Sequence, residues 1–352
     1  MRILFVLRPM AGGMRTVTAQ YISLAEAAGI TVAAAGPMAA LPVGVDGQAL
    51  EAFPYGRATR QLADVVRAFR PDLVHAHGLQ AGVVSLGSTV PVVYTLHGFP
   101  PPGPVGGLYR ILENRVMARA AALSATSQAL AADAAWRSGR PVSALPVAIR
   151  LPPADQVSRR PAGGPVIGTM GRLTQEKGYD VLLDAFRLFR RTHPQSQLLI
   201  GGLGPLAQAL GEAAASADLS GAVHLLGWVA AADFYPRLHL YTQPSRREGL
   251  GLAAREAVAW GLPVVVSDVG GLREACGDGP WARYVAAGAP GGLARAWAEM
   301  LSEHNPEISA QGRAWAAGIG GPEAVTQALS DLYRRALASA EGSGENAHFA
   351  VK

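Results

Sequence analysis

The chain has a single cysteine, Cys276, among 352 residues. That excludes an intramolecular disulfide and a thiolate metal site, and it points to a reducing compartment. No apolar run of 18 or more residues occurs, because Ser85, Ser88, Thr89 and Pro91 interrupt the best candidate. A membrane-spanning helix is therefore not expected. The opening MRILFVLRP has only five apolar residues before Arg8 and Pro9. It is too short for a signal-peptide core and reads as a buried first strand. No Asp-x-Asp pair is present to hold a divalent ion on a diphosphate, and no His, Cys and acid residues recur at metal-ligand spacing. No metal or other cofactor is expected. The excess of five positive charges is not interleaved with aromatics. It suits an anionic small molecule or surface, and nucleic acid is not expected as a partner.

What the chain does have is apolar material, 49% of its residues, enough for two packed cores. Short aliphatic runs alternate with helical patterns. Strands are expected at 2–7, 30–35, 73–76, 91–96 and 121–126, with helices at 16–28, 58–69, 106–120 and 127–138. After a Pro- and Arg-rich linker, LPPADQVSRRPAGGP (151–165), the rhythm restarts. Strands follow at 166–170, 197–202, 223–226, 239–242 and 262–267. Helices follow at 179–191, 205–215, near 231–237 and at 251–260. This pattern predicts an α/β protein of two doubly wound Rossmann-like domains, with ligands at the carboxyl ends of the strands in a central cleft. The expected division is 1–155, 156–321, a helix over 322–340, and a disordered polar tail over 341–352.

The segment EGLGLAAREAVAWGLPVVVSDVGG (248–271) carries Glu248 in a loop and Glu256 about one turn into the following helix. Open amides at a helix start suit a phosphate, and a carboxylate accepts two hydroxyls of a sugar or ribose. A glycine-rich loop with a favourable acid near a helix start would read the same way. In GTMGRLTQEKG (168–178), Arg172 and Lys177 stand in a strand-to-helix loop, where a fork and a point charge together suit a diphosphate. Solvated basic residues are the plain alternative. Gly12 and Gly13 form an anion-receptive turn in RPMAGGM, although no Gly-Lys-Ser/Thr follows as in a Walker A loop. His97 ends the strand of TLHG (95–98) at a carboxyl end, where position rather than residue type makes it a candidate.

The Glu248-x7-Glu256 segment, the GRL…EKG loop upstream, the AGGM turn and the TLHG strand end together resemble the retaining glycosyltransferases of family 4, which have the GT-B fold. The resemblance runs to about residue 335 and is strongest over 166–275. It implies a metal-independent transferase that moves a sugar from a nucleoside diphosphate sugar to an acceptor hydroxyl with retention. UDP-sugars come first and GDP-mannose second, in cell-surface glycan, glycolipid or glycoconjugate synthesis. Residue by residue, it assigns Glu256 to the donor ribose and Glu248 to the sugar hydroxyls. Arg172, Lys177, Gly13 and the amides of Leu250, Gly251 and Leu252 go to the diphosphate end. His97 goes to the reacting face, and Gly204, Trp228 and Val229 to the base. It also implies that the last helix crosses back to the first domain. The chain departs from the family where GLGP (202–205) replaces Gly-Asp-Gly-Pro, and where PVAI (146–149) replaces Pro-Asn-Gly.

Three other readings stay open. GGLGPLA matches a dinucleotide fingerprint, but VHLLGW lacks the acid that should end the next strand. A GT-B sugar-nucleotide epimerase would need further cleft carboxylates, and a non-catalytic nucleotide-sugar binder would not need the full charged set. Basic residues at helical spacing, Arg57, Arg60, Arg67 and Arg70, then Arg110, Arg115 and Arg119, fit either a solvated face or peripheral contact of a cytoplasmic protein with an anionic membrane.

Overall fold

A strand of aliphatic residues is stable only when both of its faces are covered, and that requirement shapes both halves of the chain. The computed structural model describes residues 1–9, 13–37, 40–41, 47–49, 55–149, 151–153 and 162–348. Two units emerge, Met1–Ala148 with the chain from Gly320 onward, and Ile149–Ile319. The sequence reading places these junctions after 155 and 321.

The first unit runs β1 (Arg2–Leu7), α1 (Gly13–Ala27), β2 (Thr31–Gly36), β3 (Gly47–Ala49), α2 (Tyr55–Phe69), β4 (Leu73–His77), α3 (Leu79–Val84), β5 (Val92–Leu96), α4 (Gly103–Arg119), β6 (Ala122–Ala125), α5 (Gln128–Ser138) and β7 (Val142–Ala144). Its parallel sheet has the order β3-β2-β1-β4-β5-β6-β7. The winding reverses between β1 and β4, which opens a crevice at their carboxyl ends.

The second unit runs β8 (Val166–Met170), α6 (Tyr179–Arg190), β9 (Gln197–Gly201), α7 (Ala207–Ala214), β10 (Val223–Gly227), α8 (Ala231–Phe234), β11 (Leu240–Gln243), α9 (Leu252–Ala259), β12 (Val264–Ser267), α10 (Leu272–Cys276), β13 (Ala282–Val285), α11 (Pro290–Glu303) and α12 (Pro306–Gly318). Its order, β10-β9-β8-β11-β12-β13, repeats the same winding, with the reversal between β8 and β11.

The last helix, α13 (Pro322–His348), belongs to the first unit and packs on α1, β5 and β6. Val325, Leu329, Leu332, Tyr333 and Ala336 form its buried stripe at helical spacing. The last helix runs on to His348. No proline interrupts the run after Pro322, and extending an established helix takes only one more residue per hydrogen bond. Residues 349–352 lie outside the described chain, as do Gly12 and most of the expected linker, 154–161. The sequence reading also missed β3 and β7, which are three residues each, and everything from α10 to α12. Strands that short carry no readable alternation.

Trp297 on α11 shows how the second unit is closed. It is fully buried, edge-on to Phe189 of α6 at 5.8 Å, and its indole N–H donates to Thr242 Oγ1 at 3.1 Å. Trp297→Ala should destabilise this unit by about 3–5 kcal/mol, seen as a lower urea midpoint. A shift under 1 kcal/mol would show that the site can collapse around the missing ring.

Candidate active site

In the second unit, the loops leaving β8 and β11 meet at the point where the sheet reverses. Gly178, before α6, has φ 68°, and a Cβ there would lie 2.1 Å from the Pro244 carbonyl oxygen, so only glycine allows this approach. The backbone N–H of Arg246 donates to the Glu176 carbonyl at 2.7 Å. The Arg246 guanidinium reaches the Gln175 carbonyl at 3.0 Å and both oxygens of Asp180 at 2.8 and 2.5 Å. Two loops about 70 residues apart in sequence are thereby held backbone to backbone.

This clamp brings Lys177 to Glu248. The Lys177 ammonium donates to Glu248 Oε2, and both side chains are largely buried. The Gln243 amide also donates to Oε2, and Ser245 Oγ lies 3.3 Å from it. Among the described residues, Glu248 Oε1 has no hydrogen-bond partner. Arg172, in the same loop as Lys177, is exposed and pairs with Glu176 at 3.3 Å. Gly251, with φ 85°, starts α9, and Leu250 beside it is buried. The amides of Ala254 and Arg255 bond back to the Gly251 carbonyl at 3.0 and 3.1 Å. The amides of Leu252 and Ala253 are left as first-turn donors with no intrahelical acceptor.

Glu256 does not join Glu248. It sits one turn along α9 and accepts from Tyr235 OH at 3.0 Å, while the same hydroxyl lies 2.8 Å from the Ala253 carbonyl. Burial raises its carboxyl above the ordinary value near 4.5, with the Tyr235 hydrogen bond partly opposing. Arg255, its neighbour in sequence, is buried away from it and reaches the Glu274 carbonyl at 3.2 Å. Farther along the sheet edge, the loops after β8, β9 and β10 are laced together. Leu173 N–H donates to Leu203 O at 2.9 Å, and Gly202 N–H to Gly227 O at 2.6 Å. Gly204, Trp228 and Val229 lie in these loops. Trp228 is 77% exposed and Leu203 62% exposed, so apolar surface is open at this edge.

The first unit holds a second cluster at its own reversal point. His97 follows β5, half-buried, and its Nε2 lies 2.8 Å from His77 Nδ1 at the end of β4. His77 is fully buried, stacked on Phe5 and 4.1 Å, ring to ring, from His75. His75 bonds Tyr333 OH of α13 at 3.0 Å and Thr95 Oγ1 at 2.6 Å, and Thr95 continues to Ser124 at 2.6 Å. Burial holds His77 down to about 3. Burial, the neighbouring His77 and Arg8 also lower His97, so both rings are neutral at physiological pH. Gly13 is the exposed first residue of α1.

The sequence reading missed His75, His77 and Tyr333, and Gln243, Ser245, Tyr235 and Arg246. For the histidines a signal existed: LVHAH places two of them on one face of a strand. Arg246 has no comparable signal, because its partners lie in a loop met across the fold, and Gln243, although its partners are within five residues, sits in no recognised pattern. Among the described residues, no group of three or more His, Cys, Asp and Glu side chains could hold a metal ion.

Residues 164–303 match the family described as glycosyl transferases group 1, and residues 12–149 match the glycosyl transferase 4-like domain. The 2-deoxystreptamine N-acetyl-D-glucosaminyltransferase of Streptomyces fradiae is 30% identical over 317 residues, covering 80% of this chain and 75% of that one. The glycogen synthase of Mycobacterium tuberculosis is 31% identical over 71% of this chain, which spans 64% of that enzyme's length. In structure, sucrose-phosphate synthase from Thermosynechococcus elongatus superposes with a TM-score of 0.83 at 21% identity, covering 96% of this chain and 99% of that one. The Anabaena HepE protein in complex with UDP-glucose superposes at 0.80 and 18% identity, over 95% and 99%. The fold is therefore GT-B, the architecture of nucleotide-sugar-dependent glycosyltransferases. The chain belongs to the group 1 glycosyltransferases of family 4.

The raised carboxyl of Glu256 gives a stability test. A carboxyl whose folded value is raised loses stability as pH rises through that value, and the contribution is fully present only below its unfolded value. Glu256→Gln should therefore raise the thermal midpoint at neutral pH, and the gain should disappear in acid, below about 4.5. An equal gain at both pH values would show that the charge is not the cause.

Proposed function

We propose that the chain transfers a hexose from a nucleoside diphosphate sugar to an acceptor hydroxyl, with retention of configuration and with protein cations in place of a metal ion. The observation that carries this is the Lys177–Glu248 pair, seated beside the open amides of α9 at the reversal of the second sheet. The bond from the sugar's anomeric carbon to the diphosphate breaks, the acceptor oxygen takes its place on the same face, and the acceptor's proton passes to an oxygen of the leaving diphosphate. Lys177, Arg172 and the amides of Leu250, Gly251 and Leu252 meet the charge gathering on the leaving diphosphate. Glu248 accepts from sugar hydroxyls through Oε1, and Glu256 from the ribose. Trp228 offers a flat face to the base, with Val229 and Gly204 beside it. The family resemblance assigns His97 to the reacting face and Gly13 to the phosphate. UDP is the favoured nucleotide, since UDP and UDP-glucose are bound by the structurally similar HepE, and GDP comes second.

An anionic membrane is proposed as a peripheral contact. Arg57, Arg60, Arg67 and Arg70 are exposed on and just after α2. On α4, Val105, Leu108 and Ile111 are exposed at intervals of three, on the face that also carries Arg115 and Arg119. No helix among the described residues is long and apolar enough to cross a membrane. The proposed location is the cytoplasm, with contact at the inner membrane face.

Calorimetric titration with UDP, GDP and NAD, without metal, tests the donor site. UDP should bind, and Glu256→Ala should weaken it by about 10–100-fold, as expected for hydrogen bonds to a charged group. Glu248→Ala should leave UDP affinity nearly intact and reduce turnover by about 100-fold or more. Binding of NAD alone would sink the transferase reading. Vesicles rich in anionic lipid should pellet the protein at low salt while neutral vesicles should not, and the absence of pelleting with either would remove the membrane contact.

A further inference from the structure

Lys177 and Glu248 cannot each be described by their pairing alone. Under the proposed function, the diphosphate draws on the Lys177 ammonium at the moment when Glu248 must stay charged and aimed at the sugar. A largely buried carboxylate whose cation is drawn elsewhere is costly to keep in place unless other donors hold it. Something else must hold it.

We infer that Gln243 is the positioning residue for Glu248. Gln243 closes β11, and its side chain is buried. Its amide nitrogen donates to Glu248 Oε2 and lies 3.4 Å from Ser245 Oγ. Its amide oxygen accepts from Tyr241 OH at 3.1 Å, and Tyr241, two residues back on the same strand face, also lies 3.2 Å from the Met170 carbonyl. This fixes which way the amide points. Turned over, it would set its oxygen against the Glu248 carboxylate, two acceptors facing each other with no proton between them. With nitrogen toward Glu248 the amide donates to the carboxylate, and its oxygen faces the Tyr241 hydroxyl, whose one proton is shared between it and the Met170 carbonyl.

The consequence is a division of the two carboxylate oxygens. Oε2 is occupied by Lys177, Gln243 and Ser245. Oε1 is the oxygen left to accept from a ligand. A neutral amide does this without adding charge to the site, so Lys177 keeps its full charge for the phosphates. A second acid at position 243 would do the opposite, setting two carboxylates together.

This inference rests on the donor-site reading above, and the test separates the two. Gln243→Met keeps length and volume and removes the amide. It should preserve UDP binding, lower kcat about tenfold or more for lost hydrogen bonding to a charged group, and change the donor KM by less than threefold. Tyr241→Phe, which removes only the hydroxyl, should lower kcat in the same direction by a smaller factor. The deciding measurement is the double variant Gln243→Met with Glu248→Ala. If Gln243 acts through Glu248, Gln243→Met adds nothing to the loss that Glu248→Ala already causes. Multiplying losses, or a fall in KM alone, would overturn the inference, as would full activity in both single variants. Wild-type protein that fails to bind UDP would instead count against the donor site itself.

Discussion

The site in the second unit depends on one close approach, the backbone of the loop after β8 lying against the backbone of the loop after β11. Gly178 meets the Pro244 carbonyl where no side chain would fit, and Arg246 ties the same two loops through a carbonyl, a backbone amide and Asp180. Everything charged in the site hangs on this contact. Lys177 is carried by one loop and Glu248 by the other, so their pairing reports the clamp. The approach follows from the winding of the sheet. Strands β8 and β11 are neighbours although two other strands, β9 and β10, come between them in sequence, and loops that leave neighbouring strands in opposite winding directions open a crevice between them.

The two units use the same topology for different chemistry. At the reversal of the second sheet sit charges: a lysine, an arginine, two glutamates and helix amides. At the reversal of the first sit neutral imidazoles, kept neutral by burial and tied through Thr95 and Ser124 to the strands, and through Tyr333 to α13. A charged group is affordable near the solvent-facing loops of β8 and β11, where donors surround Glu248. Inside β4, with every residue of the strand buried, only an uncharged polar side chain can be hydrogen-bonded at tolerable cost. Tyr333 also explains why α13 belongs to the first unit: its hydroxyl has a buried partner there, and its apolar stripe covers α1, β5 and β6.

Much of the candidate site was legible in the order of residues. Glycines bracketing Arg172 and Lys177, and the eight-residue interval from Glu248 to Glu256, are local patterns, and the structure finds them in a strand-to-helix loop and a loop-to-helix junction. What local pattern left open was the partners. Glu248 and Glu256, expected at opposite ends of one ligand, are each held separately: Glu248 by Lys177, 71 positions away, and Glu256 by Tyr235, 21 positions away. Arg255, next to Glu256 in sequence, turns into the core, because adjacent helical residues point about 100° apart.

The sequence by itself determined the two doubly wound halves, since continuous aliphatic strands alternating with helices have few other ways to cover both sheet faces. It also determined which residue types stand at strand ends, where chemistry collects. The tertiary structure alone decided which of those residues touch. Arg246 and Tyr333 carry no motif, and each acquires its partner from a distant segment brought alongside in the fold. Contacts of that kind depend on register and crossover between distant segments, and no local spacing encodes them.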